Sequence, residues 1–329
     1  MTSGPRLVVD ADPRLAETLR RLAGQRIVCF AGLPGTGKSL LLQQLTLLAH
    51  EAGRRVHLLQ WDVARPPFEA SAASRRYPVV DGVTHPVIRK AVGLWARRAV
   101  AAWAERHPDP RHLLVAETPF VGNRLVELAQ VVADDAEPRL SDTACRFAIA
   151  VPSRHVRRFL EAERERRTVS PLHPREREDA PPSVLRDLWR ELAGVAVELG
   201  IAARDASLPR AGETSARGTT TSGAPAGDVS GVDVSGVGDG GRSRAEASPY
   251  DPTVYRLVYE SVLRHRHVDA IALDTVLPTE QLSVYDFATQ PSELVPSVVE
   301  ADAIIRVVEQ RYPDLAVLDR EIARWWAIA

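Results

Sequence analysis

Gly32-Leu33-Pro34-Gly35-Thr36-Gly37-Lys38-Ser39 follows the apolar run Arg26 to Ala31 directly and opens the amphipathic stretch Lys38 to Ala52. It fits the pattern G-x-x-x-x-G-K-[S/T] at every fixed position, with a strand pattern before it and a helix pattern after it. Glycines at these places let the backbone curl so that successive N–H groups point at phosphate oxygens, and the helix that follows offers its positive end to the same anion. We therefore expect Gly32, Leu33, Pro34, Gly35, Thr36, Gly37, Lys38, Ser39 and Leu40 to surround the phosphates of a nucleotide. Lys38 would bridge the two outer phosphates, and the Ser39 hydroxyl would coordinate Mg²⁺.

Lys38 and Lys90 are the only lysines among 42 basic residues. In a chain that otherwise uses arginine, a lysine at the end of this loop points to a need for a compact ammonium that a guanidinium cannot meet. A net charge of −1 gives the chain no overall field for nucleic acid or an anionic membrane, so neither is expected as a partner. No run of about 18 apolar residues could span a bilayer, and the N-terminus has no basic start with an apolar core behind it. A cytoplasmic location is the expectation. Cys29 and Cys145 lie in or beside apolar strand-like runs, where thiols are expected to be reduced and structural.

Working outward from the loop, short apolar runs alternate with longer amphipathic ones, the pattern of a mainly parallel sheet between two layers of helices. The strands are expected at Arg26 to Ala31, Val56 to Gln60, His112 to Ala116, Arg146 to Val151 and Asp269 to Leu273. Helices are expected at Pro13 to Leu22, Lys38 to Ala52, Pro86 to Trp103, Asn123 to Ala133, Val156 to Arg166, Pro182 to Leu199, Thr253 to His265 and Val295 to Arg311. From 204 to 249 the chain turns into Gly, Ser, Thr, Asp and Ala, which bury too little apolar surface to offset chain entropy. The expected organisation is a first part of the core over 1–203, a disordered insertion over 204–249, and a last part over 250–329 that completes the same domain.

Two acids and a group of arginines fall where the strands end. Asp62 follows the second strand, and ligands of parallel sheets sit beyond the carboxyl ends of the strands. It could accept the proton of an acceptor hydroxyl or help hold Mg²⁺ through water, or it is an N-cap or turn aspartate before Val63. Glu117 closes the third strand, where it could hold the Mg²⁺ shell or serve as a structural carboxylate. After the fourth strand come Arg154, Arg157 and Arg158, which could close over a nucleotide and stabilise charge on a transferring phosphoryl group. The arginines and glutamates of this stretch also suit a solvated helix with i,i+4 pairs such as Glu163 to Arg167. The histidines show no H-E-x-x-H spacing, and His265 and His267 point to different faces of a helix, so zinc chemistry is not expected.

With a loop at Gly32 to Ser39, acids at Asp62 and Glu117 and arginines after Ser153, the chain resembles the P-loop kinase superfamily, which includes nucleoside, nucleotide, shikimate and gluconate kinases. The match extends over Arg6 to Glu191 and Tyr250 to Ala329. The resemblance implies a P-loop nucleoside triphosphate hydrolase fold, three layers α/β/α with a five-strand parallel core and the P-loop strand in its middle. It also implies a lid carrying arginines and ATP- and Mg²⁺-dependent phosphorylation of a small-molecule acceptor. Lys38, Asp62, Arg154 and Arg158 would then be the catalytic residues, with Ser39 and Glu117 on the metal. The segment Glu117-Thr118-Pro119-Phe120-Val121-Gly122-Asn123-Arg124 departs from the D-G-[F/Y]-P-R type of the nucleotide kinases. Neither N-K-x-D nor L-S-G-G-Q occurs, which sets aside GTPases and transporter ATPases. The alternative is a regulatory or energy-coupling ATPase acting with a protein partner.

Overall fold

A computed structural model describes residues 7–80, 83–203, 250–287 and 289–327; the expected insertion at 204–249 lies outside them. In chain order the elements are α1 (Pro13–Ala23), β1 (Ile27–Ala31), α2 (Lys38–Glu51), β2 (Arg55–Gln60), α3 (Trp61–Glu69), α4 (Pro86–Arg106), β3 (His112–Thr118), α5 (Glu137–Leu140), β4 (Cys145–Pro152), α6 (Arg154–Val169), α7 (Pro182–Glu198), α8 (Pro252–Val262), β5 (Val268–Leu273), β6 (Ser292–Glu293), α9 (Val298–Arg311) and α10 (Leu315–Ala323). The strands form one all-parallel sheet in the order β5-β4-β1-β3-β2-β6.

Side chains alternate across the pleat and so divide the sheet between two cores. Val28, Phe30, Leu58, Leu113 and Val115 pack with α1 and α2. Ile27, Cys29, Leu59, Leu114 and Ala116 pack with α3, α4, α7, α8, α9 and α10. Both faces are therefore covered, as an all-parallel sheet requires. Cys29 and Cys145 are free thiols inside the second core. Among the described residues no helix is long and apolar enough to cross a membrane.

Three expectations are corrected. The sheet has six strands rather than five, because Ser292–Glu293 adds to the edge of β2 through His57 and Leu58. Two exposed polar residues carry no apolar signal. Asp62 is neither a helix cap nor a turn residue: Gln60 is the cap, and Asp62 stands in the first turn of α3, which buries Trp61, Ala64 and Phe68 at helical spacing even though Pro66 and Pro67 sit inside it.

Asn123 to Ala133, finally, is not a helix. Positive φ at Phe120, Gly122, Asn123 and Leu125 breaks it into two short 3₁₀ turns, Val121–Asn123 and Val126–Leu128. Carbonyls that a helix would have satisfied are held by guanidinium groups instead. Arg97 donates to Glu127 O at 2.7 Å and Gln130 O at 2.8 Å, and Arg266 donates to Leu128 O at 3.1 Å.

The carboxylate of Glu137 ties these two arginines together, 2.9 Å from Arg97 and 2.6 Å from Arg266. Burial pushes this carboxyl up, but hydrogen bonds from Arg266 and Arg97 outweigh it and hold it at about 2. A depressed carboxylate stabilises the fold fully above its ordinary value near 4.5 and loses that contribution as the pH falls towards 2. Glu137→Gln should therefore cost roughly 2 kcal/mol near neutral pH, a figure already reduced for partial exposure. Urea melts of the two proteins should converge as the pH is lowered through that window, and a gap independent of pH would contradict the assignment.

Candidate functional site

The loop between β1 and α2 is shaped by backbone that a side chain would obstruct. Gly37 caps α2 at φ 89°, in the left-handed region, and offers no side-chain acceptor to the first turn. Among the described residues none accepts a hydrogen bond from the amides of Gly35 to Leu40. A helix start with unpartnered amides is an anion-binding element. Gly32 meets a different constraint. A Cβ there would lie 2.0 Å from the hydroxyl of Tyr255, which accepts a hydrogen bond from Leu33 N at 3.2 Å. Tyr255 is wholly buried on α8, so the late part of the chain braces the loop from behind.

Lys38 is buried, and its ammonium donates to Leu33 O at 2.8 Å and stands 3.9 Å from Glu117. Burial pushes it down to about 8, against the pull of Glu117 and Asp62; Arg164 and Arg157 add to the depression. Those five groups share one electrostatic environment. Ser39 Oγ donates to Glu117 Oε1 at 2.9 Å, and Gln60 Nε2 donates to Glu117 Oε2 at 3.4 Å. The register explains the meeting, since Glu117 pairs with Phe30 on one side and Gln60 on the other, level with the end of β1.

Of the residues expected from the sequence, Lys38, Ser39, Glu117 and Asp62 are brought together. Asp62 is exposed, which leaves its carboxylate open to a solute. Arg154 and Arg158 are both exposed on α6, and Arg154 is paired with Asp251 at 2.9 Å and bonded to Tyr250 O. Of the three α6 arginines expected to close over a nucleotide, Arg157 acts on Lys38, and Arg164 joins it. Arg157 is buried, donates to Glu161 at 2.8 Å, lies 5.1 Å over the Tyr250 ring, and keeps Nη1 without a partner. Arg164 donates to Ala180 O at 3.2 Å and faces Asp179 at 3.4 Å.

Sequence reasoning missed Tyr255, and it took Arg124 only as part of a departure from a motif. Arg124 lies beyond β3, where burial lowers it, Glu191 and Asp62 oppose that, and Arg65 adds to it. No local spacing links Arg124 to Asp62; only the fold does. Compared with protein-family models, curated proteins and solved structures, the chain matches none.

The contact between Gly32 and Tyr255 can be tested by coupling. Gly32→Ala should destabilise the protein by about 1–3 kcal/mol through overpacking. Removing the hydroxyl in Tyr255→Phe should itself cost about 1 kcal/mol, yet the double variant should recover part of the Gly32→Ala loss. Thermal melts of the four proteins measure this, and strict additivity would show that the two groups do not meet.

Proposed function

We propose that this chain is a P-loop nucleotide-binding enzyme that uses ATP and Mg²⁺ to phosphorylate a hydroxyl group on a small molecule. The observation that carries the reading is the 2.9 Å contact of Ser39 with Glu117 beside the buried Lys38 ammonium. A hydroxyl and a carboxylate are the hard oxygen donors that suit Mg²⁺. The unpartnered amides at the start of α2 suit the phosphates. The central position of β1, between β3 and β4, agrees with what the resemblance to P-loop kinases implies.

In this reading Ser39 and Glu117 hold the metal, and residues 32–40 with Lys38 hold the phosphates. When bound, the metal–nucleotide pair supplies the transferable phosphoryl group and a Lewis acid for its oxygens. Lys38 keeps a compact positive charge against the outer phosphates. Asp62 accepts the proton of the attacking hydroxyl from its exposed place in the first turn of α3. Arg157, with Nη1 unpartnered, and Arg164 close from α6 and stabilise the negative charge that spreads over the phosphoryl oxygens. Arg124, within electrostatic reach of Asp62, orients the acceptor.

Lys38→Ala should weaken binding of a fluorescent ATP analogue by roughly 30-fold, the equivalent of about 2 kcal/mol for a charge-assisted contact. Asp62→Asn should leave that binding within about twofold while lowering acceptor-dependent ADP release by about 10²–10⁴, the usual contribution of a general base. ADP release is to be screened against hydroxylated metabolites. If Asp62→Asn kept full activity with the best acceptor, the base assignment would be wrong. Turnover stimulated by a protein fraction and by no metabolite would favour an energy-coupling ATPase.

A further inference from the structure

At the end of the sheet away from the phosphate loop, three histidines from separate parts of the chain meet. His57 lies in β2, His107 caps the C-terminus of α4, and His112 opens β3. Along β3, Glu117 stands five positions beyond His112, about 16 Å at the rise of a strand, so this cluster is independent of the phosphate loop and of the reading built on it. His57 pairs in register with Leu114, which puts its side chain on the same face as that of His112 two residues earlier.

One ring nitrogen from each histidine lies within 4.8 Å of the other two, and His57 Nε2 approaches His112 Nδ1 at 2.8 Å. The ring centroids are 4.4 Å apart for His107 and His112, 4.5 Å for His57 and His107, and 5.1 Å for His57 and His112. We propose that His57, His107 and His112 form a binding site for a borderline transition-metal dication, Zn²⁺ in the first place.

Tetrahedral coordination at about 2.0–2.1 Å needs donor nitrogens about 3.3 Å from one another. The 2.8 Å approach of His57 to His112 is already inside that spacing, and the remaining pairs lie within 4.8 Å. An all-imidazole donor set selects Zn²⁺, Cu²⁺, Ni²⁺ or Co²⁺ over Mg²⁺ and Ca²⁺, which prefer carboxylate and carbonyl oxygen. His57 is buried while His107 keeps part of its surface, so the cluster is reached from the side of His107. The framework is held from outside. Arg26 donates to the carbonyls of both His107 and His112, Arg54 donates to His112 O at 3.2 Å, and the Arg26 guanidinium stacks 4.7 Å over Trp103, whose ring borders His57.

Arg26, Arg55 and Arg106 add positive charge around the cluster, and Asp109 opposes it beside His112. That balance favours a site held by direct nitrogen bonds over one that collects cations by charge. Its occupation fastens the beginnings of β2 and β3 to the end of α4.

The test is titration of chelator-treated full-length protein with Co²⁺ and Zn²⁺, followed by visible absorption and calorimetry. Wild type should take up about one equivalent, with the Co²⁺ d–d bands of a tetrahedral site, and melt at a higher temperature with Zn²⁺. His107→Gln, at the partly exposed position, should keep the wild-type circular dichroism and weaken uptake at least tenfold. Ser39→Ala should leave uptake unchanged, which separates this site from the loop. Cu²⁺-loaded wild type should show hyperfine splitting from three nitrogens, a reading that needs no variant. No uptake, uptake unaffected by His107→Gln, or a Cu²⁺ spectrum without multiple nitrogens would overturn the proposal and leave the cluster as a hydrogen-bonded core packing.

Discussion

A buried ammonium is expensive unless something compensates it, and Lys38 is compensated without being neutralised. Among the described residues its ammonium donates to the carbonyl of Leu33 in its own loop, and the nearest carboxylate, Glu117, is 3.9 Å away and shared with Ser39. Burial is the largest influence on it and lowers it to about 8, and the carboxylates of Glu117 and Asp62 are what oppose that loss of charge. A polyanion would relieve that penalty. The constraint reaches through the rest of the fold, because β3 must lie beside β1 for Glu117 to arrive and β2 beside β3 for Gln60 and Asp62 to follow.

The late part of the chain is as necessary to the loop as the early part. Tyr255 reaches the loop backbone from 222 residues away in sequence, through Leu33 N, and Tyr259 on the same helix donates to Pro119 O at 3.0 Å just beyond β3. β5 completes the flank of β4, and its Leu273 carbonyl accepts from Ser153 N at 2.9 Å where α6 begins. Residues on both sides of 204–249 thus build one sheet and one site.

How much of this could be read in advance follows from the range of the interactions. The five longer strands and the loop are coded by contiguous apolar runs and a contiguous motif, and they were legible. So was the position of Glu117 near the close of β3, because the end of a parallel strand fixes where its last residues go. Asp62 was placed correctly in the chain but in the wrong element, since Pro66-Pro67 masks a short helix whose real signal is the burial of Trp61, Ala64 and Phe68. Arg157 and Arg164 could not be told from Arg154 and Arg158 because the spacing along α6 does not say which face meets the loop. Tyr255, Arg124 and the histidine cluster depend on contacts between distant segments, for which no local pattern exists.

The bias towards arginine has a structural explanation that does not involve an anionic partner. Arg97 and Arg266 satisfy the carbonyls of the broken segment after β3, and Arg26 and Arg54 do the same for the turn between α4 and β3. A planar fork with five donors can serve several carbonyls at once where no helix or strand partner exists, which a single ammonium cannot. Both lysines sit in the opposite situation. Lys90 is buried 3.1 Å from Glu127 and 2.6 Å from Glu321, which raise it although burial opposes them, and Gly93 has no Cβ because the Glu127 carboxylate occupies that space. Lys38 is buried at the start of α2, with its ammonium on Leu33 O. Both lysines of the chain are thus buried, Lys90 between two close carboxylates and Lys38 with its nearest recorded carboxylate 3.9 Å away.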